Sequence, residues 1–90
     1  MTLDEMRENI DAIDTDMVRL YTQRMEIARE IGRYKREKHL PVLDPERERT
    51  LLNRVEEEAG EAYGTGIRAL YSLLLEQSRA EQLAVLQQAE

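Results

Sequence analysis

The stretch that decides the fold runs from Leu3 to Lys38 and reads LDEMRENIDAIDTDMVRLYTQRMEIAREIGRYKREK. Its apolar residues recur every three or four positions, which is the spacing of one stripe along an α-helix. The stripe consists of Leu3, Met6, Ile10, Ile13, Met17, Leu20, Ile27, Ile31 and Tyr34. The pattern therefore predicts a single long helix, from about residue 4 to residue 38.

Two cations interrupt this stripe. Arg24 stands where the stripe passes from Leu20 to Ile27, and Lys35 follows one turn after Ile31. Eleven residues are close to three helical turns, so both cations project from nearly the same face. A buried charge is costly unless it is paired, so we expect the stripe to receive an anion. Two simpler explanations stay open: Arg24 snorkels to the rim of a plain dimerising coiled coil, or Lys35 only follows the helix dipole.

The length of the predicted helix has a separate consequence. A helix of about 35 residues is roughly 50 Å long. A compact domain of 90 residues has a radius of gyration of only about 12 Å. The helix would extend beyond any monomer that the rest of the chain can build, so we expect another chain to cover its apolar stripe.

Composition limits the fold to one small all-α domain, residues 1–90. Phenylalanine, tryptophan and cysteine are absent, so the core must be aliphatic. The abundant Leu, Ala, Met, Glu, Arg and Gln are strong helix formers. A domain of this size is only marginally stable alone, which agrees with association between chains.

Composition also excludes several kinds of chemistry. Without cysteine, and with His39 as the only histidine, one chain cannot build a thiolate metal site, a cysteine nucleophile or a Ser-His-Asp triad. The net charge of −6 argues against nucleic acid as a partner. No segment is apolar enough for a signal peptide or a membrane span. We therefore expect a soluble, cytoplasmic protein with no metal and no cofactor.

Two further helices follow in the prediction. Asp44 and Pro45 form an N-cap followed by proline at the first helical position, which begins a short second helix over 45–59. Gly60 is expected to end it, and Gly64 and Gly66 to flank a connector. A third helix of medium length is predicted over 65–88.

Both of these helices carry polar residues at their apolar faces. Arg47 and Glu48 precede the apolar positions 51 and 52 by one turn, so they lie at the inner edge of the second helix. On the third helix, Ser78 and Gln82 continue the face of Tyr71 and are one turn apart. Such residues are exposed by fraying, the more common case, or they line a pocket.

The three helices thus supply one set of polar side chains. The set comprises Arg7, Arg24, Lys35, Arg47, Glu48, Ser78 and Gln82. It can enclose a small molecule that carries two carboxylates and a hydroxyl. Arginine suits carboxylates because its planar guanidinium binds them bidentately. Lysine and glutamine can donate hydrogen bonds to an oxygen that gains charge during a reaction.

Five segments spread along the chain form a further pattern: MRENIDAID at 6–14, RMEIA at 24–28, IGRYK at 31–35, PVLDPERE at 41–48 and LEQSRAEQ at 75–82. In these segments, and over essentially the whole chain, the sequence resembles the all-helical class of chorismate mutase. Each segment alone is a weak helical pattern. All five in order, at matching separations, make a strong signal.

The family resemblance implies an intertwined homodimer with paired first helices and two equivalent active sites. Arg7 would reach into the partner's site, and Arg24, assisted by Ser78, would grip a substrate carboxylate. Lys35 and Gln82 would donate hydrogen bonds to the ether oxygen of chorismate.

The same resemblance assigns the hydroxyl side of the site. Glu48 and the backbone N–H of Asp44 would hold the ring hydroxyl, and Arg47 would complete the basic wall. The candidate apolar lining is Ile10, Ile13, Ile31, Leu51 and Leu75. Arg79 departs from the pattern, because the family often has an apolar residue there near the pocket.

The implied reaction is the rearrangement of chorismate to prephenate, in which a C–O bond breaks as a C–C bond forms. It needs no nucleophile, metal or redox cofactor, which suits this composition. Two alternatives stay open. One is an isochorismate-pyruvate lyase of the same fold, which matches Asp44, Arg47 and Glu48 less well. The other is a non-catalytic helical dimerisation module, which gives no reason for Arg24 in the stripe.

Overall fold

The computed structural model of the chain describes residues 1–88, which form two long helices. Helix α1 spans Leu3–Lys38 and helix α2 spans Pro45–Leu86. The all-α prediction is confirmed. The prediction of three helices is corrected to two, because the expected connector between the second and third helices shrinks to one non-helical residue, Gly60. The last two residues of the predicted domain, 89 and 90, lie outside the described residues.

Helix α1 begins and ends at residues with clear local signals. The side chain of Thr2 accepts a hydrogen bond from the backbone N–H of Glu5, and the Glu5 carboxylate accepts one from the backbone N–H of Thr2. This capping box satisfies two N–H groups that the first turn leaves free. At the other end His39 adopts the left-handed conformation, with φ 57°, and its N–H bonds back to the last turn. The predicted end at Lys38 is confirmed.

Helix α2 begins as predicted and then reverses direction. Asp44 is its N-cap, accepting from the backbone N–H of Arg47 at 3.1 Å, and Pro45 occupies the first turn. At Gly60 the backbone leaves helical geometry, with φ 80° and ψ −179°. Glycine alone adopts this conformation without strain. We call residues 45–59 the proximal arm of α2 and residues 61–86 the distal arm.

Contacts across the reversal show that the two arms lie side by side. Arg68 of the distal arm donates to Asn53 at 3.1 Å and to the Glu56 carboxylate at 2.7 Å, both on the proximal arm. Gly64 lies against the same arm, so close that a Cβ there would stand 3.1 Å from the Glu56 carbonyl oxygen. Gly64 therefore lies in the packing between the two arms. The sequence-based prediction that it flanks a connector is wrong.

The apolar core lies between the arms. Leu51 and Val55 of the proximal arm pack against Leu75 of the distal arm, and all three are buried. Leu52, Ile67 and Tyr71 pack around them. The apolar positions 51 and 52 indicated by the sequence thus both belong to the core.

Helix α1 packs on α2 through its C-terminal half. Its buried residues are Met25, Ala28 and Gly32. A Cβ built on Gly32 would lie only 2.9 Å from the Gln82 Cα, so the two backbones meet at this point. Around it, Arg29 pairs with Glu81 at 3.5 Å, and Arg36 donates to the Val85 carbonyl at 3.0 Å.

The contact at Gly32 gives a prediction about stability and the placement of Gln82. We expect Gly32→Ala to force the helices apart and lower the free energy of unfolding by about 1–3 kcal/mol. Because the displaced residue, Gln82, is a site residue predicted from the sequence, the mutase activity implied by the resemblance should fall as well. The matched control is Gly66→Ala: it lies in α2, and beyond the adjacent backbone of its own helix no atom lies within 4 Å of its added Cβ, so thermal denaturation should show an unchanged or more stable protein. Equal melting temperatures for the two variants would contradict this.

The predicted stripe of α1 is left uncovered by its own chain. The nine stripe residues are each between 42% and 58% exposed. The molecule measures 54 × 28 × 13 Å, and its long dimension is that of α1. The expectation that the first helix extends beyond the rest of the chain is thus met in the structure. Within residues 1–88 neither helix has an apolar stretch long enough to cross a bilayer, and the cytoplasmic location stays a prediction.

Candidate active site

A cavity of about 290 Å³ lies between the C-terminal half of α1 and both arms of α2. Its lining is formed by Arg24, Ile31, Lys35, Val42, Asp44, Arg47, Glu48, Leu51, Leu75, Ser78, Arg79 and Gln82. Seven of the eight site residues predicted from the sequence are among these. The structure therefore brings together positions that are up to 58 residues apart in the chain.

Helix α1 contributes the two cations that interrupt its stripe. Arg24 and Lys35 are both half-buried, and both line the cavity. The guanidinium of Arg24 lies over the Tyr71 ring, 5.8 Å from its centroid, a cation–π contact that holds it in place. The Lys35 Nζ donates to the Val42 carbonyl at 2.8 Å, which leaves two of its three N–H groups for a ligand.

The proximal arm contributes its first turn. Asp44, Arg47 and Glu48 line the cavity from the helix N-terminus, where the dipole favours negative charge on a ligand. The Asp44 side chain is engaged as the N-cap. Arg47 is exposed, whereas Glu48 is half-buried.

The distal arm contributes Ser78 and Gln82, which are only 8% and 6% exposed. Of the two alternatives from the sequence, exposure is therefore wrong and a pocket is correct. The Gln82 Nε2 donates to the Ser78 Oγ at 3.4 Å. Its Oε1 is buried and has no hydrogen-bond partner among the described residues.

That buried oxygen bears on what the site can bind. An unsatisfied buried amide oxygen costs free energy. If the amide turns by 180°, the Ser78 hydroxyl can donate to Oε1, and Nε2 becomes free to donate to a ligand. The pair can therefore present a donor to the cavity without leaving the amide oxygen unpaired.

The cavity is electropositive within an acidic chain. Arg24, Lys35, Arg47 and Arg79 outweigh Asp44 and Glu48, which gives the lining a formal charge of +2. The chain as a whole carries −6. Within residues 1–88, no carboxylate lies within 4.0 Å of Arg24, Lys35 or Arg47. These three cations are therefore available to a dianionic ligand.

One predicted site residue is far from the cavity. Arg7 is exposed in the N-terminal part of α1. It precedes Arg24 by 17 positions, which is roughly 26 Å along the helix. Ile10 and Ile13, predicted as apolar lining, also lie outside the cavity. Ile31, Leu51 and Leu75 line it as expected.

The sequence did not indicate how Arg79 is placed. It lines the cavity, and its Nη1 lies 2.7 Å and 2.6 Å from the two carboxylate oxygens of Glu48. The partners are 31 residues apart on different arms of α2, so no helical spacing reveals them. Gly32 was also missed, although the small residues Ala28 and Gly32, one turn apart, are a signal of close helix packing.

Two other hollows suit this chemistry less well. One of about 500 Å³ has Glu56, Glu57 and Glu61 as the charged residues of its lining and would repel an anion. Another of about 460 Å³, beside Arg24, is an almost wholly apolar groove between α1 and the distal arm. Within residues 1–88, no three acidic or histidine side chains are grouped so as to hold a metal ion.

Comparison with known proteins returns the family that the sequence resembles. The family described as chorismate mutase type II matches residues 6–83 of the chain. The chain is similar to a chorismate mutase of Methanocaldococcus jannaschii, with 29% identity over 98% of this chain and 91% of that protein. It is also similar to bifunctional chorismate mutase/prephenate dehydratases. The identity is 40% with that of Escherichia coli, over 92% of this chain, and 39% with that of Aquifex aeolicus, over 69% of it. The aligned region covers only 22% and 17% of those two proteins.

Proposed function

The chain belongs to the chorismate mutase type II family, and on that premise we propose that it converts chorismate to prephenate in the 290 Å³ cavity. The family predicted from the sequence is thus confirmed. The observation that carries the proposal is a cavity in an acidic chain whose lining holds three unpaired cations, of which Arg24 and Lys35 are half-buried and Arg47 is exposed. Substrate carboxylates are the partners that such a cluster lacks.

The first task of the site is to hold chorismate in its reactive shape. The rearrangement requires a compact chair-like conformation with both substituents axial. In the proposal, Arg24 grips one carboxylate with help from Ser78, and Arg47 adds positive charge to the wall. Fixing the two ends of the substrate removes rotational freedom before the reaction begins, which lowers the barrier.

The second task is to stabilise the charge that grows on the ether oxygen as the C–O bond breaks. Lys35 and Gln82 are the donors proposed for that oxygen. Lys35 is held by the Val42 carbonyl, and the Gln82 amide is buried beside Ser78. Donors that are already in place stabilise the transition state more than the ground state, because they need no reorganisation.

The third task is to hold the ring hydroxyl. We assign this to the Glu48 carboxylate as acceptor and to the backbone N–H of Asp44 as donor. Both residues line the cavity, one helical turn apart at the start of the proximal arm. This arrangement needs a carboxylate that does not repel the two carboxylates of the substrate.

We further propose that the active form is a homodimer in which Arg7 completes the partner's site. The exposed stripe of α1 supports this, because an exposed apolar surface of that length marks a site of association with another chain. Arg7 lies on the stripe-bearing helix, outside its own cavity, and no acidic side chain pairs with it within residues 1–88. A partner's Arg7 would add a further positive charge to the cavity.

The identity of residue 82 gives a prediction about pH. Glutamine donates a hydrogen bond at any pH, so turnover should change by less than about twofold between pH 6 and pH 8. In Gln82→Glu the side chain can donate only when protonated, and a free glutamate titrates near pH ~4.3. The variant should therefore be slow at neutral pH and recover as the pH is lowered. A steep pH dependence in the unmodified chain, with the dimer intact, would refute this assignment.

The function is tested by incubating the chain with chorismate and following the loss of its ultraviolet absorbance. Prephenate is the expected product, and salicylate from isochorismate would indicate the lyase instead. Arg24→Ala should abolish turnover while circular dichroism shows an unchanged helical content. If the chain were only a dimerisation module, chorismate would not raise its melting temperature, and Arg24→Ala would leave the dimer as stable or more so.

A further inference from the structure

The cavity contains one ion pair, between Arg79 and Glu48. The Arg79 Nη1 lies 2.6 Å from one Glu48 oxygen and 2.7 Å from the other. The two side chains are 31% and 21% exposed, so the pair is partly shielded from water. Both residues line the cavity, on opposite arms of α2.

We propose that Arg79 is a positioning residue that fixes the Glu48 carboxylate and neutralises it toward a dianionic substrate. This inference rests on the proposed function, in which Glu48 accepts a hydrogen bond from the ring hydroxyl. Arg79 itself need not touch the substrate. Its effect passes through Glu48.

The geometry allows Glu48 to pair with Arg79 and to accept a hydrogen bond from the ring hydroxyl at the same time. A carboxylate has about four lone-pair positions on its two oxygens. A single guanidinium nitrogen bridging the oxygens uses one position on each. The remaining positions can accept the hydroxyl proton of a ligand, and the carboxylate cannot rotate away while Arg79 holds it.

Neutralising the charge of Glu48 is a more important role for Arg79 than fixing the orientation of the carboxylate. Without Arg79, Glu48 would present an uncompensated negative charge to a ligand that carries two of its own. Like charges brought together in a partly buried site oppose binding. With Arg79 in place, Glu48 offers a hydrogen-bond acceptor at little electrostatic cost. Arg79 should therefore act mainly on substrate binding and less on the chemical step.

The first test is Arg79→Met, which keeps a long helix-forming side chain and removes the charge. We expect KM for chorismate to rise roughly tenfold while kcat falls less than threefold. Arg79→Lys, which keeps the charge, should stay within about threefold of the unmodified chain. Arg29→Met is the matched control: Arg29 also forms a half-buried pair, with Glu81 at 3.5 Å, but lies outside the cavity. Its KM should not change.

The second test separates positioning from packing. In the double variant Arg79→Met/Glu48→Gln, the unpaired charge is gone, so KM should be lower than in Arg79→Met alone. For a chorismate analogue with hydrogen in place of the ring hydroxyl, Arg79→Met should raise KM less than it does for chorismate. Without the hydroxyl, the analogue makes no hydrogen bond to Glu48 that Arg79 could help to position. If Arg79→Met does not fold, as judged by circular dichroism, Arg79→Gln replaces it in both tests.

The outcomes separate the two proposals. If the unmodified chain does not convert chorismate, the proposed function fails. If it converts chorismate and Arg79→Met has an unchanged KM, or one equal to that of the double variant, the role of Arg79 is overturned. A higher kcat/KM in Arg79→Met would also overturn it, since Arg79 would then compete with the hydroxyl for Glu48.

Discussion

Replacing Lys35 with alanine is expected to lower kcat by roughly 10²- to 10³-fold while the chain stays folded. In the proposed site, Lys35 donates to the ether oxygen, where negative charge appears only as the bond breaks. The loss should therefore fall on kcat more than on KM. Removing one preorganised donor of this kind costs about 3–4 kcal/mol of transition-state stabilisation.

The control for Lys35→Ala is Lys38→Ala. Lys38 lies three residues further along α1, over the Tyr34 ring at 5.9 Å, and outside the cavity. It should keep kcat within about twofold. Since Lys35 also anchors the Val42 carbonyl, the melting temperature of Lys35→Ala must be measured as well. A loss of kcat below about fivefold would remove Lys35 from the chemical step.

The parts of the fold that could be predicted are those with local causes. The apolar period of 3–38 and the N-cap at Asp44 depend on neighbours within a turn, so they can be read from the sequence. The end of the second helix was predicted at the correct residue, Gly60, but the connector predicted after it was too long. Residues 61–64 are helical because only Gly60 needs a non-helical conformation. How many residues a reversal takes depends on how the arms pack, and that contact is not local.

The candidate site could be predicted where a charged residue occupies a position at which the helical periodicity calls for an apolar one. Arg24 stood out because it replaced an apolar residue in the stripe, and the structure places it in the cavity. Ser78 and Gln82 were ambiguous, since their burial depends on α1 packing against them at Gly32. The Arg79–Glu48 pair joins two arms, so it required the three-dimensional arrangement.

The acidic net charge of the chain and its basic cavity act on a dianionic ligand in opposite directions. A chain of charge −6 repels a dianion at long range, so binding must come from short-range contacts in the cavity. Those contacts are strong only where water is partly excluded, as it is around Ser78 and Gln82. In the proposed homodimer, a cation from the second chain would add to these short-range contacts.

Arg7→Ala and Arg24→Ala should each be inactive alone, yet regain activity when the two variants are unfolded, mixed and refolded together. If Arg7 serves the partner's site, a mixed dimer has one site with both arginines and one site with neither. Random pairing makes half of the dimers mixed, so about a quarter of the unmodified activity should return, by the symmetry of a two-fold dimer.

Only a cross-subunit arrangement gives this recovery. If Arg7 acted on its own chain's site, each site of the mixed dimer would still lack one arginine, and no activity would return. Arg19→Ala in place of Arg7→Ala is the matched control, because Arg19 is exposed on the same helix and, among residues 1–88, pairs only with its neighbour Asp16, at 3.9 Å. That variant should be active alone. Full activity in Arg7→Ala, or a folded monomer on sizing, would remove the second chain from the site and leave the exposed stripe of α1 without its proposed partner.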